Sequence, residues 1–182
     1  MDPRSRFIHY IEDLARRSVD IAHEPNIKGG RRFFLELEHD RLLGATAPDN
    51  TGWNLVLMGY ETATDDNRHG RRVEKIAFIF DILRHVRQGD APALHQAYTQ
   101  ARSIGEEFLI RMEEQQKDPC LAQVSDGIEV TYSLRMGTKR TVEVGPRFDH
   151  FFGYRFAIDL LQEMPFRPAS DPHRWRIIDP NA

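Results

Sequence analysis

The chain opens with apolar residues at helical spacing. Phe7, Ile11, Leu14, Ala15, Ile21 and Ala22 recur mostly at three- and four-residue steps, which predicts an amphipathic helix over residues 3–23. Asp2 suits its N-cap, Pro3 its first turn, and Pro25 with Gly29-Gly30 its end. From Phe33 to Leu43 an alternating and a helical pattern overlap, which predicts a brief extended entry and one or two helical turns stopped at Gly44. Ala45 to Gly52 reads as a loop, and Trp53 to Thr62, with the run Leu55-Val56-Leu57-Met58, as a buried strand. Arg72 to Val86 contains Ile76-Ala77-Phe78-Ile79-Phe80, apolar on both faces. A central strand and a fully buried helix would each satisfy that run, and its β-branched and aromatic content favours a long hairpin with the preceding strand.

Asp90 to Gln116 carries one apolar stripe, Leu94, Ala97, Tyr98, Ala101, Ile104, Phe108, Leu109 and Met112, with Asp90 as N-cap and Pro92 in the first turn. Beyond it the period changes to two. Ile128, Val130, Tyr132 and Leu134 predict a half-buried strand, Met136 to Lys139 a turn, Arg140 to Val144 a second strand ended by Gly145-Pro146, and Phe151 to Gln162 a third. Along the third, Phe152, Tyr154, Phe156, Ile158 and Leu160 share one face and Phe151 points the other way. Pro165, Pro168, Pro172 and Pro180 mark an extended arm. The expected fold is α+β: a mainly antiparallel sheet of about five strands, a long helix across one face and an N-terminal helix, in one domain over 1–164 followed by the arm 165–182.

Composition narrows the function. A chain of 182 residues with 40 % hydrophobic and 29 % charged residues can bury a core without disulfide or metal. The net charge of −3 is not that of a protein binding duplex nucleic acid over a broad face. One cysteine, Cys120, forms no internal disulfide, and the start MDPRSRF has no apolar leader; both suit a cytoplasmic protein.

No candidate chemistry converges. The histidines form no helical His-x-x-x-His pair, and Asp149 and His150, adjacent on an extended segment, point to opposite sides of the chain. Asp65-Asp66-Asn67 lacks the remaining oxygens of a calcium loop, and Gly29-Gly30-Arg31-Arg32 lacks the spacing of a phosphate loop. Cys120 has no neighbouring base, and no Gly-x-Ser-x-Gly elbow occurs. The expectation is therefore no catalytic, cofactor or metal residue. Contacts are assigned to a basic hairpin tip (Arg68, His69, Arg71, Arg72), to the turn with Phe148, Asp149, His150 and Phe151, and to Phe166, Trp175, Ile177 and Ile178 on the arm. The basic tip would meet an acidic partner or DNA, or only water.

Val144-Gly145-Pro146-Arg147-Phe148-Asp149 with Gly153, Arg155 and Phe156 resembles the "VGP-x-x-D-x-x-x-G-x-R-F" ending of phage tail terminator or tail-completion proteins of Bacteroidetes-type prophages and contractile injection systems. Ala101 to Glu106 is similar to their "A-x-x-I-G-E" helix. The arm after Met164 and the basic hairpin depart from that pattern. The resemblance implies a non-enzymatic subunit that assembles into a ring, commonly a hexamer, and caps or joins the tail tube. Its partners would be its own copies and tail tube, sheath or neck subunits, with no membrane. It would be cytoplasmic before assembly and part of the particle afterwards. The competing readings are a small regulatory or effector-binding domain with a closed apolar cavity, and a hydrolase with a site built from scattered residues.

Overall fold

The computed structural model describes residues 3–27, 30–36, 52–66, 72–117, 132–147 and 150–163. In chain order these form α1 (Pro3–Arg17), β1 (Phe33–Leu35), β2 (Asn54–Asp66), β3 (Arg72–His85), α2 (Ala91–Lys117), β4 (Ser133–Arg147) and β5 (Phe151–Glu163). The five strands make one sheet in the order β1-β2-β3-β5-β4. The fold is α+β, as the hydrophobic pattern implies, but the sheet is mixed. β2, β3, β5 and β4 run antiparallel to their neighbours, while β1 lies parallel to β2 with Phe34 beside Val56. A parallel neighbour needs a long return connection, and residues 36–53 supply that length.

The ambiguous run resolves as strand. Ile76, Phe78, Phe80 and Ile82 are fully buried on one face of β3; on the other, Leu83 is fully buried in a second cluster and Ala77 and Ile79 are half-buried beside the buried Asp81. The helices cover the first face. Phe7, Tyr10, Ile11 and Leu14 of α1 and Ala101, Ile104, Phe108, Leu109 and Met112 of α2 meet the β3 stripe and Phe156, Ile158 and Leu160 of β5. Phe80 stacks between Phe78 and Phe156, with ring centroids 4.7 and 5.0 Å away. Asp90 caps α2 as expected, accepting the Ala93 amide at 3.0 Å.

Three expectations need correction. α1 ends at Arg17, not at residue 23: Ser18 accepts the Ile21 amide on its hydroxyl, and Ala22 turns to a positive φ and is exposed. The turn expected at Met136 to Lys139 does not form: β4 runs without a break from Ser133 through it and on to Arg147. Between Arg135 and Arg140, β4 advances five residues while β5 goes from Asp159 to Ala157. The surplus bulges out instead of turning, because the Thr138 hydroxyl donates to Arg135 O at 2.8 Å and accepts the Asp159 amide at 2.9 Å. Thirdly, Leu94 and Tyr98 are only half-buried, whereas Gly105 and Gln115 belong to the buried face of α2. The expected strand start at Ile128, the helical turns after Glu36, Cys120 and the arm 165–182 lie outside the described residues.

Five of the described residues that resemble a family motif, Gly105, Gly145, Gly153, Arg155 and Phe156, have local structural roles. A Cβ on Gly105 would run into the Phe156 ring, and one on Gly153 into the Ile82 carbonyl of the neighbouring strand. Gly145 adopts φ +140°, outside the range an L side chain favours. Arg155 holds a buried carboxylate, and Phe156 is core.

Candidate interaction surface

Among the described residues, both helices lie on one face of the sheet, which leaves the opposite face and the outer edge without a helix over them. The opposite face has three zones. At the β1 end, Phe34, Val56, Leu83 and Phe151 form a second buried cluster with Met58 and Val144 against it. In the middle stands Asp81, fully buried on β3. Arg155 of the adjacent β5 binds it through both ends of the guanidinium, Nε to Oδ1 at 2.7 Å and Nη2 to Oδ2 at 2.9 Å. Arg147 adds Nη1 to Oδ2 at 2.8 Å. These hydrogen bonds, which outweigh burial, hold Arg155 above its ordinary pKa. At the far end, a shallow hollow is lined by Lys75, Ala77, Ile79, Arg140, Ala157 and Asp159, with Lys75 and Asp159 paired at 2.8 Å.

Sequence pattern alone missed Asp81. The signal was there: one carboxylate inside the apolar run from Ile76 to Leu83, in a strand whose two faces must both be covered. Such a charge needs a partner, and the partners lie 66 and 74 residues further along the chain. The cluster is a clamp joining β3, β4 and β5; its oxygens are committed to arginine donors.

The edge is formed by β4. It runs for fifteen residues and, among the described residues, has a strand neighbour on one side. Its register with β5 sets its faces. Arg140, Val142 and Val144 stand opposite Ala157, Arg155 and Gly153 on the open face; Thr141 and Glu143 stand opposite Phe156 and Tyr154 on the helix face. Lys139 reaches back to Glu106 of α2 at 2.6 Å. Glu143 lies near Tyr98, whose phenol is shifted upward by burial first and by that carboxylate second. Val142 is 54 % exposed and Met136 40 %.

No family model matches the chain, and no curated protein or solved structure does either.

The residues assigned to contacts from sequence divide unevenly. Arg68, His69, Arg71, Phe148, Asp149, Phe166, Trp175, Ile177 and Ile178 lie outside the described residues, and Arg72 begins β3. His150 is exposed at a positive φ, its ring 6.3 Å from that of His85. Phe151 does point away from the helices, but it is fully buried in the second cluster, so it is not open to a neighbour. Its strand partner His85 and the neighbouring Phe34, Val56 and Leu83 cover it.

One groove faces the other way. Between the end of α1 and the middle of α2, about 440 Å³ is lined by Leu14, Ile104 and Phe108 and rimmed by Arg17, Glu107 and Arg111. It opens to water beside Val19, which is 93 % exposed. Among the described residues no three histidine, cysteine or acidic side chains gather as a metal site, and no helix is long and apolar enough to cross a membrane.

Proposed function

We propose that this protein is a non-enzymatic structural subunit that associates with copies of itself and with other subunits, in the manner of the tail terminator proteins it resembles, capping or joining the end of a phage-like tail tube. The observation that carries the association half is the β4 edge: a long outer strand with an exposed valine near the middle of its regular stretch. Unpaired backbone amides and carbonyls along an outer strand are an open template for another strand. The tail-tube half rests on the motif resemblance alone. Absolute mass by light scattering, from low micromolar to the solubility limit, tests the reading. Mass rising with concentration to a multiple of the 21.2 kDa chain supports it; one mass of a single chain throughout counts against self-association.

A second reading, a small effector-binding domain, draws on the groove between α1 and α2. That groove is open and rimmed by charge, where an apolar effector would need a closed cavity. Saturable fluorescence enhancement of an added hydrophobic dye, weakened by Glu107→Trp at the groove's exposed rim with the thermal melt unchanged, would favour it over assembly.

A further inference from the structure

We propose that two copies of this chain pair edge to edge through β4, antiparallel, in the register that sets Val142 opposite Val142 of the second copy. The inference rests on the self-association reading above and adds to it the surface, the symmetry and the register.

The edge itself restricts the choices. Toward its start β4 is interrupted by the bulge between Arg135 and Arg140, and toward its end by Gly145-Pro146, where proline has no amide to donate. The regular stretch between them is Arg140 to Val144, and Val142 is its middle residue. A two-fold axis normal to the sheet keeps each face on its own side, so each residue meets one of the same facing. Centring on Arg140 would set arginine against arginine, and centring on Glu143 would set glutamate against glutamate; like charges directly opposite are unfavourable. Centring on Thr141 would set the exposed Val142 against Arg140 instead of an apolar group, and centring on Val144 would run the pairing into Gly145-Pro146. Centring on Val142 covers the exposed valine with its own copy on the open face. It also places the Thr141 hydroxyl opposite the Glu143 carboxylate of the other chain, a contact that occurs twice by symmetry. Arg140 then lies across from Val144, where its stem can cover apolar surface and its guanidinium remain in water. The same exposed strand could also take an acidic extended segment of a different protein; the charge and valine symmetry about residue 142 favours the second copy.

Three forms of the full chain test it: wild type, Val142→Lys, and Val142→Cys with Cys120→Ser. Val142 is more than half exposed, so the substitutions leave the fold intact, which thermal melting verifies. The expected result is a concentration-dependent dimer for wild type, association weakened about tenfold or more in Val142→Lys by two facing ammonium groups, and a disulfide-linked dimer for the cysteine form on mild oxidation. Glu143→Cys in the same Cys120→Ser background should cross-link far less, because its opposite residue is Thr141. If wild type associates and Val142→Lys associates equally well, the copies meet elsewhere and this pairing is wrong while self-association stands. If wild type stays a single chain at every concentration, both readings fall.

Discussion

Replacing Gly105 by alanine isolates the contact that seats the long helix on the sheet. On an exposed helix this change gains about 1 kcal/mol of helix propensity. Here the added methyl would sit 2.8 Å from Cδ2 of Phe156 and closer still to Cε2 and Cζ. The ring has no room to retreat: Phe156 is fully buried and lies stacked on Phe80, with 11° between the planes. The helix must therefore lift, loosening Ala101, Ile104 and Phe108 over the same sheet. Overpacking of this kind costs about 1–3 kcal/mol, and a rigid aromatic neighbour places it toward the upper end. After the propensity gain, a net loss of about 1–2 kcal/mol remains, or a Tm lower by roughly 2–8 °C for a domain of this size. Thermal and urea melts of Gly105→Ala measure it. Gly137→Ala is the control, since a Cβ there meets nothing within 4 Å. Phe156→Leu loses ring volume and stability by itself, but combined with Gly105→Ala the two losses should sum to clearly more than the double variant shows. A Gly105→Ala protein as stable as wild type, or additive losses in the double variant, would refute the close helix–sheet contact.

Two further outcomes follow from the polar residues. Asp81→Asn removes the charge that both Arg147 and Arg155 face, and should cost about 2 kcal/mol, less than for a fully buried pair because the arginine side chains are 32 and 28 % exposed; Arg155→Gln should then cost less in the Asp81→Asn background than in wild type, measured by urea melts, and equal costs would show that the clamp does not hold. His23 accepts the Arg32 and Phe33 amides on Nδ1 at 2.9 and 3.1 Å, so the buried ring is neutral with its Nε2 proton directed at Glu12, 3.3 Å away. Burial lowers its pKa despite Glu12; the unfolded chain therefore takes up the proton first, and this contribution is whole above about pH 6.5 and declines as pH falls below it. The Tm of wild type should drop between pH 7 and 5 by more than that of His23→Gln, and parallel profiles would remove His23 from the pH response.

Much of the layout follows from local pattern. The stripe on α2, the cap at Asp90, the inward face of β5 and the strand after Trp53 depend on period and on nearest neighbours in the chain, which one sequence displays in full. Where the pattern was degenerate, contacts distant in sequence decided. Ile76 to Phe80 is a strand because β2 and β5 flank it on both sides. Met136 to Lys139 bulges rather than turns because Thr138 finds hydrogen-bond partners on both sides of the bulge, one of them on β5. β1 joins the sheet in parallel, which its three residues could not announce.

The candidate surface shows the same division. Which apolar groups face water was not visible in the residues alone. Phe151, adjacent to a turn and pointing outward by alternation, is covered by Phe34, Val56 and Leu83 from three other stretches of chain, while Val142, one apolar residue in an alternating run, is left exposed because β4 falls at the end of the strand order. A residue's side of the sheet is a property of its own strand; whether that side or edge is covered depends on which strands come to lie beside it, and only the folded chain determines that.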